Sequence, residues 1–162
     1  MSGPAVAAVS AAGIDHEVIR HGPARSLPEA ARNQGVEVRD VVKTLVVRRA
    51  PERYVFVLVP GDRVISWPKL RALLGVNRLS LPDAATAKAA TGYERGTITP
   101  FGSSTAWPVI ADERLRGRTV SLGAGRPGVA LRVAAADAVA ALNATWADVT
   151  DPAPAPEDAA RT

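Results

Sequence analysis

The most regular apolar stretch of the chain lies near its middle. Val41 to Arg49 and Tyr54 to Val59 are β-branched and aromatic runs separated only by Ala50-Pro51-Glu52-Arg53. This pattern predicts an antiparallel pair of strands. Apolar residues on both faces place the pair centrally in its sheet. Ahead of it, Pro4 to Ala12 reads as a short helix stopped by Gly13, and Glu17 to Arg20 as a strand. Ser26-Leu27-Pro28-Glu29 has capping-box spacing with proline allowed in the first turn, so a helix runs to about Gln34 and ends at Gly35. Beyond the pair, Pro68 opens a helix ending near Gly75, and Ser80-Leu81-Pro82-Asp83 caps another that runs to about Ala90. Short strands follow near Val109 to Ala111, Thr119 to Leu122 and Val129 to Val133, then a helix over roughly Ala135 to Asn143. Hairpins and helices mix without regular strand–helix–strand alternation. The predicted fold class is therefore α+β (mixed α/β), with a mixed, largely antiparallel sheet rather than a doubly wound one. Residues 1–150 read as one domain, and 151–162, alternating Pro and Ala, as a disordered tail.

Composition narrows the function classes. The chain has 162 residues, 47% hydrophobic and 22% charged, with no apolar run near the ~20 residues that cross a bilayer. Met1 to Ala12 is Ala-rich but lacks the basic start of a secretory signal, so a cytoplasmic protein is expected. The absence of cysteine excludes disulfides, Cys-ligated zinc and Cys nucleophiles. A net charge of +4 and a pI near 10.1 fit a polyanionic partner. The cations are nearly all arginine, and the lysines are Lys43, Lys69 and Lys88. In a chain that otherwise uses arginine, each lysine raises the question of what a compact amine does there.

Lys43 is the most informative of the three. Strand alternation puts it on one face with Val41, Leu45 and Val47, while Val42, Thr44 and Val46 face the other way. An amine in a two-sided apolar strand must reach water along a cleft or bury its charge at a cost of several kcal/mol. It is either a lysine snorkelling from a strand or an amine placed to meet a carbonyl, carboxylate or phosphate oxygen. The segment Thr91 to Gly102 is the second candidate, with three glycines, a proline and two aromatics between a helix and a strand. Such a loop suits backbone N–H groups aimed at a ligand oxygen, or it is simply a turn.

Other chemistries find little support. Gly123-Ala-Gly-Arg-Pro-Gly128 matches G-x-G-x-x-G by letter, but Pro127 and the strand at Val129 make it a hairpin turn and not a dinucleotide loop. No G-x-S-x-G is present. His16 and His21 lie five apart with no third ligand in view, so no metal or other cofactor is expected. His21 faces a cleft or is an ordinary surface histidine. Trp67, Trp107 and Trp146 are dispersed and read as core rather than as a base-stacking platform.

Taken together, the chain resembles the YbaK family, the prolyl-tRNA synthetase-associated editing domains, over roughly Gly13 to Thr150. The marks are Val-Val-Lys43-Thr44-Leu-Val-Val, the loop Gly96-Thr-Ile-Thr-Pro100 with Phe101-Gly102, Asp112 after the next strand, and Gly123-Ala-Gly125. The resemblance implies a barrel-like sheet surrounded by helices and metal-free hydrolysis of the ester joining a wrong amino acid to the 3′-terminal adenosine of tRNA, usually proline tRNA. Its implied partners are the acceptor end of misacylated tRNA and prolyl-tRNA synthetase. It makes Lys43 the catalytic residue. Substrate contacts fall to Thr44, to Gly96, Thr97, Ile98, Thr99, Pro100, Phe101 and Gly102, and to Gly123, Ala124 and Gly125, with His21 beside them. The branch acting on Cys-tRNA usually has Ser where Gly123 stands and an acid at Ala130. Their absence points to Ala or a Ser/Thr-like residue as the amino acid removed. The alternative is a catalytically silent module of the same fold that binds tRNA or a synthetase, or one that binds a small molecule.

Overall fold

The computed structural model describes residues 3–154. Helix α1 (Gly3–Ala11) leads into strand β1 (His16–Arg20), then α2 (Leu27–Gln34) and a 3-10 turn at Val38–Asp40. Strands β2 (Val42–Ala50), β3 (Arg53–Pro60) and β4 (Arg63–Ile65) follow, then α3 (Trp67–Leu74) and α4 (Ala84–Thr91). Next come β5 (Val109–Asp112), β6 (Thr119–Gly123), β7 (Val129–Ala134), α5 (Ala135–Leu142), β8 (Thr145–Ala147) and β9 (Thr150–Pro152).

The helices begin and end on side chains chosen for those places. Ser26 Oγ accepts from the Glu29 amide at 3.2 Å to cap α2, and Gly35, at φ 71°, closes it by receiving the turn in left-handed geometry. Ser66 and Gly75 bound α3 in the same manner. The cap of α4 is Asp83, which accepts from Thr86 N at 2.8 Å. Ser80, expected within that cap, is instead bridged to Arg48 by two backbone hydrogen bonds of 2.8 and 3.1 Å.

The strands form three sheets, mostly antiparallel. One has the order β1-β7-β6, the second β2-β3-β5-β8, and the third is the pair β4-β9. Within the second, β2 and β3 are antiparallel, whereas β3-β5 and β5-β8 run parallel. A bridge between Val41 and Ser121 links the first two sheets, and among the described residues they do not close into a barrel. Both faces of β3 are covered. Phe56 and Leu58 join a core with Val42, Val46, Val120, Leu122 and Leu131, while Val55, Val57 and Val59 join another with Val47, Ile65, Leu70 and Ile110.

Two expectations are corrected. β3 is central, but β2 lies at the edge of its sheet, because burial of both faces says nothing about the neighbour along the hydrogen-bonding direction. The expected tail begins at residue 151, yet Asp151 and Pro152 pair with Val64 and Arg63 in β9. Backbone pairing anchored at the buried Thr150 holds this segment, although its side chains have nothing apolar to bury. Residues 155–162 of the expected tail lie outside the described residues.

Candidate functional site

Where β2 leaves its bridge to β6, a cleft of about 950 Å³ opens along the edge of β2. Val41 to Val46 form one wall, and Ser121 to Gly123 with Val129 and Ala130 another. Two loops complete it, His21 to Ser26 ahead of α2 and Arg95 to Ile98 after α4.

Lys43 lines this cleft, half-buried, opposite Val59 in register. Its Nζ donates to the carbonyl oxygen of Arg63. Burial pulls the amine below the usual lysine range, and the nearby Asp62 carboxylate partly opposes that shift. Thr44 also lines the cleft, and its Oγ1 is buried with no hydrogen-bond partner among the described residues. A hydroxyl left that way costs ~1–3 kcal/mol until a polar group reaches it.

The loop after α4 divides into a lining half and a supporting half. Gly96, Thr97 and Ile98 face the cleft. Thr99 and Phe101 are buried, and Pro100 lines a different cavity of about 430 Å³ beside Trp107. Gly102 packs against Pro4 so closely that a Cβ would lie 2.6 Å from that residue's carbonyl carbon. The hairpin turn divides in the same way. Gly123 lines the cleft, Ala124 is fully buried, and Gly125 lies against the Tyr93 ring. The two loops hold each other: Gly125 N donates to Thr97 O at 2.9 Å, and a Cβ on Gly123 would stand 3.0 Å from Ile98 O. His21 borders the cleft, its backbone N–H bonded to Gly128 O at 2.9 Å.

Three further residues of the rim were not singled out from the sequence. Arg25, Arg95 and Arg126 line the cleft with Lys43, and among the described residues the one carboxylate lining it is Asp83, which is engaged in capping α4. A readable signal existed, since Arg95 and Arg126 each adjoin a cleft-side glycine turn. Asp112 lies elsewhere. Fully buried, it accepts from Thr150 Oγ1 at 3.0 Å, Val149 N at 3.2 Å and Arg114 Nη1 at 3.1 Å. Among the described residues no cluster of three His, Cys, Asp or Glu side chains could hold a metal, and no helix is long and apolar enough to cross a membrane.

The sequence model of the aminoacyl-tRNA editing domain matches residues 21–141, a span that contains every wall of the cleft. The chain belongs to that family. A solved structure described as a candidate trans-editing enzyme for prolyl-tRNA synthetase superposes with a TM-score of 0.83 at 28% identity, covering 93% of this chain and 99% of that one. The chain is also similar to a candidate Cys-tRNA(Pro)/Cys-tRNA(Cys) deacylase, EbsC, of Enterococcus faecalis. The two are 25% identical over 126 residues, 77% of each chain. A proline–tRNA ligase of Thermosipho melanesiensis is 30% identical over 102 residues, which is 63% of this chain but only 18% of the ligase. The editing-domain family expected from the Lys43 strand and the Gly96 loop is the family found, and the mixed, mostly antiparallel fold is that of its trans-editing neighbour.

Proposed function

We propose that this editing domain is an aminoacyl-tRNA deacylase that removes a small, wrongly attached amino acid from the 3′-terminal adenosine of tRNA. The observation that carries the reading is Lys43, a half-buried amine on an edge strand, lining a cleft rimmed by Arg25, Arg95 and Arg126. A cleft of about 950 Å³ has the size of a pocket for a large small-molecule ligand, enough for an adenosine carrying an amino acid. Its cations suit the phosphates of an acceptor end. Kinship with segments of proline–tRNA ligases supports proline tRNA as the substrate and that synthetase as the partner presenting it.

The chemistry asks little of the protein. An aminoacyl ester is already activated, so a water that attacks its carbonyl needs orientation and a counter-charge for the oxygen that becomes negative. The Lys43 ammonium supplies that charge, and Thr44 and the Gly96–Ile98 backbone hold the substrate against it. Water adds to the carbonyl carbon, the bond to the ribose oxygen breaks, and that oxygen takes the proton. Gly123 and Ala130, paired in register, put two small residues in the cleft wall. Neither carries the polar group that the branch acting on Cys-tRNA usually has at these positions, which favours alanine or a Ser/Thr-like residue as the amino acid removed. A second sieve of this kind is needed because one methylene supplies only ~1–3 kcal/mol of discrimination at a synthetic site. Incubating the protein with a panel of mischarged tRNAs tests the proposal. Release of a small amino acid is expected, whereas tight tRNA binding without release would favour a silent binding module.

A further inference from the structure

The partners of Lys43 lie on one short stretch of chain. Its Nζ bonds to the carbonyl of Arg63, and Asp62, the charge that acts on it, is the preceding residue. The turn entering β4 is pinned from below by Gly61. A Cβ there would fall 2.1 Å from Val38 O and 2.9 Å from Val41 O, so the turn rests directly on the backbone that leads into β2. From the other side it is clamped by β9, which pairs with all three residues of β4, and Ala153 N donates to Asp62 O at 3.0 Å.

The clamp has a side-chain lock. Arg63 Nε donates to Thr150 Oγ1 at 2.6 Å and Arg63 Nη2 to Thr150 O at 3.1 Å. The Thr150 hydroxyl donates in turn to Asp112 Oδ1 at 3.0 Å. Thr150 and Asp112 are both fully buried, so the bond between them does not compete with bulk water. Asp112 is fixed in turn by Val149 N and Arg114, and Arg114 by Asp148 at 2.8 Å. A continuous path therefore runs from a buried carboxylate through Thr150 and Arg63 to the Lys43 amine.

We infer that the C-terminal strand β9, acting through the Thr150 hydroxyl, is a positioning element for Lys43, holding the Asp62–Arg63 turn that decides where the amine sits. A lysine has four side-chain torsions to fix, and a fixed carbonyl acceptor selects among their rotamers. A displacement of about 1 Å at a reacting centre can cost about a hundredfold in rate. Among the described residues, the other charged or titratable groups lining the cleft are His21, Arg25, Asp83, Arg95 and Arg126, none of them on this path. The inference rests on the proposed role of Lys43, and it gives function to residues whose composition resembles a tail.

The test uses the full chain with Thr150→Val, Thr150→Ser and Asp62→Asn. With three lysines in the sequence, the titration of the Lys43 side chain is readable by NMR and assignable with Lys43→Arg. Thr150→Val is expected to lower kcat for deacylation about tenfold or more with KM within about twofold, and to move the Lys43 midpoint while that of Lys88 stays put. Thr150→Ser keeps the hydroxyl and should restore kcat to within about threefold. Asp62→Asn, on an exposed turn, should lower the Lys43 midpoint. A folded Thr150→Val protein with unchanged kcat and Lys43 midpoint overturns the inference, as does Thr150→Ser failing as badly as Thr150→Val. Should Thr150→Val not fold, an unmoved Lys43 midpoint in Asp62→Asn overturns it instead. If the wild type releases no amino acid from any tRNA, the deacylase reading fails, while the NMR titration still decides the positioning claim.

Discussion

Tyr93 lies so close to Gly125 that a Cβ on the glycine would stand 2.4 Å from the ring's Cε1. The same tyrosine donates its hydroxyl proton to Phe101 O at 2.6 Å. One buried ring therefore ties the hairpin turn after β6 to the loop whose first half lines the cleft. Gly125 also has φ at 80°, a conformation that side chains resist. Gly125→Ala is expected to destabilise the protein by about 1–3 kcal/mol, from strain and overpacking together. Thermal unfolding checks this, and an unchanged Tm would mean that the ring yields.

Burial lowers the pKa of Lys43, which couples both activity and stability to pH. Burial disfavours the ammonium, so the folded state releases this proton at lower pH than an unfolded lysine does near about 10.4. If the ammonium is the working form, kcat/KM corrected for hydroxide-driven background falls on the alkaline side below that value. Across the same window the unfolded chain binds the extra proton, so the stability of the wild type rises with pH relative to Lys43→Met. An alkaline limb at an ordinary lysine pKa would show that the amine is not desolvated.

Much of this was legible in the sequence, and the exceptions have a common cause. Ser26 with Gly35 announced α2, and the runs flanking Pro51 announced β2 and β3, because caps and alternation are local signals. Lys43 stood out because an amine within such a run is energetically odd. The strands β4, β8 and β9 have three residues each, too few for a period, and exist through pairing with distant chain. The same distance hid the roles of Thr150 and Asp112. For the loop, composition marked the segment but not its division: Gly96–Ile98 line the cleft, while Thr99 and Phe101 lie in the interior. Which half faces a ligand depends on what packs behind it.

The rim cations set an expectation for tRNA binding. Among the described residues the cations lining the cleft are Arg25, Lys43, Arg95 and Arg126, too few for a long basic channel. Each neutralised phosphate contributes about −0.7 to −0.9 to the slope of log affinity against log salt, so a slope on the order of −2 to −4 is expected. Titrations with uncharged tRNA at several salt concentrations measure it. A slope steeper than about −6 would require a further RNA-binding face.

The proposed chemistry uses only an amine, a hydroxyl and backbone groups. Activity should therefore survive dialysis against EDTA. Loss under EDTA and recovery on adding zinc would instead assign His16 or His21 a role in holding a metal.

On the proposed function, Lys43 makes this cleft a deacylase. Its most direct test is the rate of amino-acid release from proline tRNA charged with alanine, serine or threonine, measured for the wild type and for Lys43→Ala side by side. The wild type is expected to release the amino acid from at least one of these, with a loss of about a hundredfold or more in Lys43→Ala. The variant should keep its fold and a Tm at or above that of the wild type, because a partly buried charge has been removed. Equal rates in a folded Lys43→Ala protein, or no release above buffer from any of the three tRNAs, would contradict it.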